Sequence, residues 1–313
     1  MTENVADNVA VATCPGCGSA EFEATGPEAP GFVVELSERK FEQADYFVRE
    51  CSNCGLLYRT PTLSDEALAE YYGQVSFQRW EAGQYHPIER EVLSFLESLP
   101  PRSRILDYGC SSGRLLGGLT GKYECYGSEL NSVAAKKAAD RGLKMIEPGD
   151  LAMELSVKFH AIVLVDVFEH LRKPLDLLRQ LLQHGAPGAL LIVATGNGDA
   201  PACRRDPAQF WYFRILEHLS MFTARTARHF AEDRGLSLES LSEVCHYDLS
   251  VREKVVLWLH DFSYWQFRRR TILARTLLPV LPRIRHARKW TAAPPYTCTR
   301  DHVVAVFRLP GAQ

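Results

Sequence analysis

Past residue 100 the apolar positions of this chain follow two rhythms in turn. Short continuous apolar runs, as strands buried on both faces require, occur at Ile105-Leu106, from Ala161 to Val165, from Ala189 to Thr195 and from His302 to Arg308. Glu124 to Glu129 and Leu143 to Ile146 read as two further strands, and Leu236 to Leu241 alternates as a half-buried strand does. Between these runs the spacing turns helical. Ile88, Val92, Leu93, Phe95, Leu96 and Leu99 share a face, Asn131 caps a helix through Ala134, Ala135 and Ala138 to Gly142, and Leu175 to Leu182 is amphipathic. Thr223 caps another helix through Phe230 to Gly235. Such alternation predicts an α/β domain. Ahead of it, Thr60-Pro61-Thr62 marks a break, Ser64 caps a helix ending near Tyr71-Tyr72-Gly73, and Pro100-Pro101 stops the Ile88–Leu99 helix.

The stretch from Arg104 to Leu116 organises the rest. It reads as strand, glycine turn and helix, with Gly109 and Gly113 bracketing a turn of small residues. Glycines there permit positive φ and close approach of a ligand to the backbone, and a helix N-terminus presents unpaired N–H groups. The second strand ends in Glu129, about 20 residues past the turn, where an acid accepts hydrogen bonds from a ribose.

Across Asp107-Tyr108-Gly109-Cys110-Ser111-Ser112-Gly113 and Glu129 the sequence resembles class I S-adenosylmethionine-dependent methyltransferases. Ser111 replaces the middle glycine of that pattern. Asp107 argues against a nicotinamide fingerprint, which has no acid before its first glycine. The resemblance implies a Rossmann-like, doubly wound, seven-stranded sheet with S-adenosylmethionine as cofactor. The run Asp166-Val167-Phe168-Glu169-His170-Leu171 resembles the fourth motif of many small-molecule methyltransferases. Carried over residue by residue, the cofactor-binding set is Asp107, Gly109, Cys110, Gly113, Glu129, Leu130, Asp150, Leu151, Asp166, Val167 and Phe168. Asp150 faces the adenine amine in that reading; in the other it is a turn aspartate. Tyr72, Phe77 and Tyr85 are candidates for the pocket lining, with plain packing as the alternative. His170 either touches the acceptor or pairs and caps locally.

Cys14-Pro15-Gly16-Cys17-Gly18 and Cys51-Ser52-Asn53-Cys54-Gly55 are two C-x-x-C-G knuckles, with roughly 33 residues between them, enough to hold a hairpin. Two residues between thiolates let both sulfurs reach one metal, and two knuckles supply a closed tetrahedral site. Cys14, Cys17, Cys51 and Cys54 are thus the expected ligands of a structural zinc; a reduced thiol cluster or a redox pair are the alternatives. Phe32 to Leu36 and Tyr46 to Glu50 are the expected strands of the intervening hairpin.

Glu217-His218-Leu219-Ser220 with Phe222 resembles the Glu-His element of sugar C-methyltransferases, which also carry an N-terminal four-cysteine zinc module. Those enzymes place a Tyr two residues before the Glu; here Ile215 stands there. The resemblance makes His218 the general base, with Glu217 orienting it or polarising the acceptor. A histidine packed under an aromatic lid is the other reading.

Bulk properties narrow the function. The net charge is −2, so no global field favours nucleic acid as partner. Met1 to Asp7 lacks the basic and apolar regions of a signal peptide, and no run of about 18 apolar residues occurs to span a membrane. Nine cysteines, four of them in paired knuckles, suit a reducing cytosol better than a disulfide framework, and a cytoplasmic location is expected.

The expected organisation is a zinc ribbon over 1–60, linker helices covering the cofactor site over 61–101, and a methyltransferase domain over 102–250 and 301–313. A helical insert over 251–300 separates the last two strands, where short connections are usual. It mixes Trp258, Phe262, Tyr264, Trp265 and Phe267 with Arg268-Arg269-Arg270, Arg283, Arg285, Arg288 and Lys289. An acceptor lid or dimer surface, a grip on anionic lipid or a lipid-linked acceptor through 255–290, and RNA binding are its three readings. The leading expectation is methyl transfer to a small-molecule acceptor in secondary metabolism or glycan assembly, such as C- or O-methylation of a nucleotide-linked sugar. RNA methylation and a cofactor-binding module without catalysis are the alternatives. The lack of an Asn-Pro-Pro-Tyr type motif after the fourth strand counts against methylation of a base amine.

Overall fold

Alternation along the strands sorts the apolar residues into two cores, and the sheet between them positions everything else. The computed structural model describes residues 7–37, 39–75, 84–152, 157–281, 284–290, 292–294 and 300–311. Its first part holds seven short strands: β1 (Asn8–Val9), β2 (Phe22–Ala24), β3 (Phe32–Glu35), β4 (Lys40–Gln43), β5 (Phe47–Cys51), β6 (Leu57–Thr60) and β7 (Thr62–Leu63). The hairpin between the cysteine knuckles is β3 with β4, while β5 turns at the second knuckle and pairs with β6. The two expected strands therefore exist but are not each other's partners.

Helices α1 (Asp65–Gln74) and α2 (Pro87–Glu97) follow. Ser64 accepts from the Ala67 N–H, and Asp65 and Glu66 occupy the positive end of α1. Then come β8 (Arg104–Tyr108), α3 (Arg114–Gly117), β9 (Glu124–Ser128), α4 (Ser132–Asp140), β10 (Lys144–Met145), β11 (Phe159–Val165), α5 (Pro174–Leu182) and β12 (Gly185–Gly196). The chain closes through α6 (Pro201–Arg205), β13 (Ser220–Met221), α7 (Ala224–Arg234), β14 (Ser237–Val244), α8 (Val251–Arg268), α9 (Ile272–Thr276) and β15 (His302–Arg308). Seven strands form one sheet in the order β10-β9-β8-β11-β12-β15-β14, and β15 alone runs antiparallel to its neighbours. This is the doubly wound Rossmann-like sheet that the strand–helix rhythm and the family resemblance implied.

Side chains at alternate positions leave opposite faces of a strand. Ala161, Val163, Leu190, Ile192, Val304 and Val306 accordingly join one core with Ile88 and Val92 of α2, Leu115 of α3 and Ala138 of α4. Ile162, Leu164, Leu191, Val193, Ala305 and Phe307 join the other with Leu178 of α5 and Phe230 of α7. Cys14, Cys51, Cys54 and Leu56 pack into that second core, so the cysteine module is fused to one face of the sheet.

A second seam is polar. β13 extends the sheet of the cysteine module, in the order β13-β6-β5-β2. Arg59, in β6, is fully buried and donates to the carbonyls of Phe213 at 2.8 Å and Ile215 at 3.2 Å, and also to that of Leu216. Tyr46 and Phe32 place their rings within 5.6 and 5.9 Å of its guanidinium. Burial pulls its pKa down to about 10, so the group stays cationic at neutral pH.

The described part of the insert is largely helical, as expected. Ser250 and Glu253 form a capping box at the start of α8, and Asp261 and Tyr264 seat it on Arg205 (2.6 Å) and Gln209 (3.3 Å). Val251, Val255 and Trp258 are exposed on it. Among the described residues no helix is long and apolar enough to cross a membrane.

Arg59→Met keeps volume but strands buried carbonyls. It is expected to cost at least about 3 kcal/mol of unfolding free energy in a denaturant titration, against under about 1 kcal/mol for an exposed control such as Arg300→Met.

Candidate functional site: a donor turn and an acceptor wall

The glycine turn leaves β8 through a left-handed backbone. Gly109 has φ 76°, Ser111 φ 46° and Gly113 φ 73°. The N–H groups of Gly109 and Cys110 donate to the Ser128 carbonyl at 2.8 and 3.1 Å, tying the turn to the end of β9. A Cβ on Gly109 would stand 2.5 Å from Val167 Cγ2, and one on Gly113 2.9 Å from Ala138. Only glycine fits either place. The carboxylate of Glu129 accepts from the Ser111 N–H at 2.9 Å and the Asn131 N–H at 2.8 Å. Asn131 in turn caps α4. Two fixed N–H contacts hold this carboxylate at the mouth of the turn and leave lone pairs for ligand hydroxyls.

Asp107 is buried beside this turn. Burial, with the Glu129 and Glu89 carboxylates adding to it, pushes its pKa up to about 7. Leu130 is 86 % exposed next to Glu129. Asp150 is exposed in the short 150–152 turn, whereas Leu151 is core and its carbonyl pairs with His184 Nε2 at 2.9 Å. Cys110 is buried against Gly127, and Phe168 packs edge-on to Phe222 at 5.0 Å within the core. The structure thus gathers Asp107, Gly109, Gly113, Glu129, Asp166 and Val167 at the ends of β8, β9 and β11. It sets the side chains of Leu151, Cys110 and Phe168 behind them. Phe77 lies outside the described residues.

The second half of the site is a wall of hydrogen-bonding rings. Glu169 and His170 sit in the single turn 168–170, not at the start of a longer helix. Fully buried Glu169 accepts from Thr195 Oγ1 at 2.7 Å and from the Tyr212 hydroxyl. His218 Nδ1 is 3.0 Å from the Tyr212 carbonyl. A carbonyl can only accept, so Nδ1 carries the proton and Nε2 the lone pair. Burial, then His170 and Arg59, hold His218 far below its usual pKa, so the ring is neutral. The His170 ring lies 4.9 Å from it, and the Tyr72 hydroxyl is 3.1 Å from His170 Nδ1. Glu217 takes its hydrogen bond from the Tyr71 hydroxyl at 2.8 Å. The group that orients His218 is therefore the Tyr212 backbone. Tyr85 bonds the Arg114 carbonyl at 3.2 Å, on the far side of the glycine turn.

Sequence reading missed His246, Asp301 and His302. Pairing of β14 with β15 brings them to Asp166, and no local spacing announces a contact between residues so far apart.

The four cysteine sulfurs converge as their spacing demands. Cys14 and Cys54 Sγ are 3.5 Å apart, as are Cys17 and Cys51, and all four lie within 4.8 Å of one another. Sulfurs at about 2.3 Å from one tetrahedral zinc stand about 3.7 Å apart. The donor set and its geometry fit that ion.

The sheet order, the glycine turn and the acid ending the second strand define a class I S-adenosylmethionine-dependent methyltransferase. The chain belongs to the family described as "Methyltransferase domain", which it matches over residues 77–241. Among curated proteins it is 25 % identical over 175 residues to a tRNA (carboxymethyluridine(34)-5-O)-methyltransferase of Arabidopsis thaliana. That match covers 50 % of this chain and 39 % of the relative, so the chain spans about two fifths of its length. Similar solved structures include the N-methyltransferase NodS of Bradyrhizobium japonicum, with 16 % identity, 72 % of this chain and 97 % of that one covered, and a TM-score of 0.41. Another is SAM-bound CalS10, an amino pentose methyltransferase of Micromonospora echinaspora, with 21 % identity, 42 % and 56 % covered, and a TM-score of 0.32.

Gly109→Ala combines the Val167 clash with left-handed strain of about 1–2 kcal/mol. Loss of both stability and cofactor binding is expected. In a double-mutant cycle followed by thermal unfolding, Val167→Ala should recover the clash but not the strain.

Proposed function

We propose that this enzyme methylates a hydroxyl-rich small molecule, with a nucleotide-linked sugar as the leading acceptor class. The single observation that supports this is the make-up of the acceptor wall. It offers the imidazoles of His170 and His218, the latter neutral, and the phenols of Tyr72 and Tyr212, suited to hydroxyls. Of the arginines near it, Arg59 is committed to backbone carbonyls and Arg172 to Asp65 at 2.6 Å.

In this reading the cofactor supplies a methyl group on a cationic sulfur. Glu129 binds the ribose hydroxyls, the glycine turn lets the cofactor approach the backbone, and Asp107 faces its positive charge. Leu130 gives the adenine an apolar cover, Asp150 its amine an acceptor, and Val167 closes the pocket over Gly109. His218, already neutral and with Nε2 unprotonated, takes the acceptor proton. Holding the acceptor in line accounts for much of the rate, since proximity alone is worth several kcal/mol. Cys14, Cys17, Cys51 and Cys54 hold a zinc that folds the first module and does no chemistry, because four protein ligands leave no open position.

RNA methylation is the second reading. The Arabidopsis relative's name favours it, and the net charge of −2 weighs against it. Incubating the enzyme with methyl-labelled S-adenosylmethionine and fractionated cell extract separates the two. Label among soluble nucleotide sugars, abolished by His218→Ala, is the expected result; label in RNA would overturn the sugar reading and leave the fold and cofactor untouched.

Asp107 makes cofactor binding pH-dependent. A cationic ligand favours the carboxylate, so its bound-state pKa falls below the free value of about 7 and binding releases a proton. Affinity measured calorimetrically should rise from about pH 6 to about pH 8 and then level. Asp107→Asn should weaken binding throughout and flatten the slope.

A further inference from the structure

Three residues from separate strands meet beside the donor turn: Asp166, expected to border the cofactor, and two histidines that have no role in that reading. Asp166 follows β11, His246 follows β14, and His302 opens β15. One donor atom from each lies within 4.8 Å of the others. His302 Nε2 is 3.6 Å from Asp166 Oδ1 and 3.2 Å from His246 Nδ1. The first distance is too long for a hydrogen bond, and Asp166 Oδ1 is buried with no hydrogen-bond partner. Asp166 also sits at φ 51°, a strained backbone that holds its carboxylate toward His302.

We propose that Asp166, His246 and His302 bind one divalent cation at the acceptor end of the sheet. Nitrogen and oxygen ligands at about 2.1 Å from one ion stand about 3.0–3.4 Å apart, close to the 3.2 and 3.6 Å that separate His302 from its two partners. Two imidazoles and a carboxylate are a borderline set that suits zinc, manganese or iron(II). A further carboxylate stands behind them. Asp301 Oδ1 accepts from the His246 N–H at 2.9 Å and lies 3.6 Å from His302 Nδ1, too far for a hydrogen bond but close enough for its charge to favour a proton on that nitrogen. His302 and His246 are 1 % and 5 % exposed, while the Asp166 side chain is 39 % exposed, so access runs along the Asp166 side. Three protein ligands leave positions open. They suit an acceptor presenting two adjacent oxygens, such as a vicinal diol or a hydroxyl beside a carbonyl. This acceptor class rests on the sugar reading above; the cation site does not.

The test uses the full chain with zinc supplied at one equivalent, which the four thiolates of the cysteine module take in preference to two imidazoles and a carboxylate, and which manganese displaces poorly because it is the weakest binder of the divalent series. Mn2+ is titrated in and the free ion followed by electron paramagnetic resonance. One Mn2+ per chain should bind saturably, with affinity falling at least about tenfold in His302→Gln and in Asp166→Asn. His246→Gln should lose the ion yet keep S-adenosylmethionine binding, which shows that the variant is folded. Failure to saturate at one Mn2+ per chain, or equal binding in all three variants, overturns the site. If Mn2+ binds as expected but label from the cofactor enters RNA and no sugar, the acceptor class falls and the cation site stands.

Discussion

A guanidinium taken wholly out of water is tolerated only when most of its N–H groups find partners, and in this chain the two terminal nitrogens of Arg59 find three carbonyls on the 213–216 segment. The carbonyls of Phe213, Ile215 and Leu216 converge on it, so the irregular backbone between α6 and β13 takes the shape of the arginine. Strand pairing continues the same seam. The Arg59 N–H reaches the Leu219 carbonyl at 2.9 Å, the Leu219 N–H reaches the Glu169 carbonyl at 2.8 Å, and Thr223 Oγ1 reaches Gly55 at 3.0 Å. Cysteine module, acceptor wall and fourth-strand turn are thereby one hydrogen-bonded layer.

The two halves of the site are built by different physics. On the donor side, local geometry does the positioning: left-handed glycines, a carboxylate caught by two neighbouring N–H groups, and a cap on α4. The turn, the carboxylate and the cap all lie between Asp107 and Asn131. On the other side, contacts across long sequence separations fix the two carboxylates, as Tyr71 does for Glu217 and Thr195 does for Glu169.

That division decides what could be read from residues alone. The seven strands of the main sheet, the helix caps at Ser64, Asn131 and Thr223, the glycine turn and the cysteine tetrad all carry short-range signatures, and the structure has each of them. The partners of β5 and the brevity of α3 carry none, because strand pairing is settled by tertiary packing. His218 stands in a recognisable Glu-His pair, yet its tautomer depends on the Tyr212 carbonyl. Glu217 next to it in sequence bonds elsewhere. His246 and His302 are single polar residues at strand ends, and only the β14–β15 ladder makes them neighbours.

The same ladder shapes how the chain can change over time. His246 and His302 touch across the base of the insert, and the His246 N–H closes on Asp301. The excursion from 251 to 300 therefore leaves and re-enters the sheet through a fastened stem. Whatever is altered within the excursion, its two ends stay pinned to the same sheet edge by these contacts.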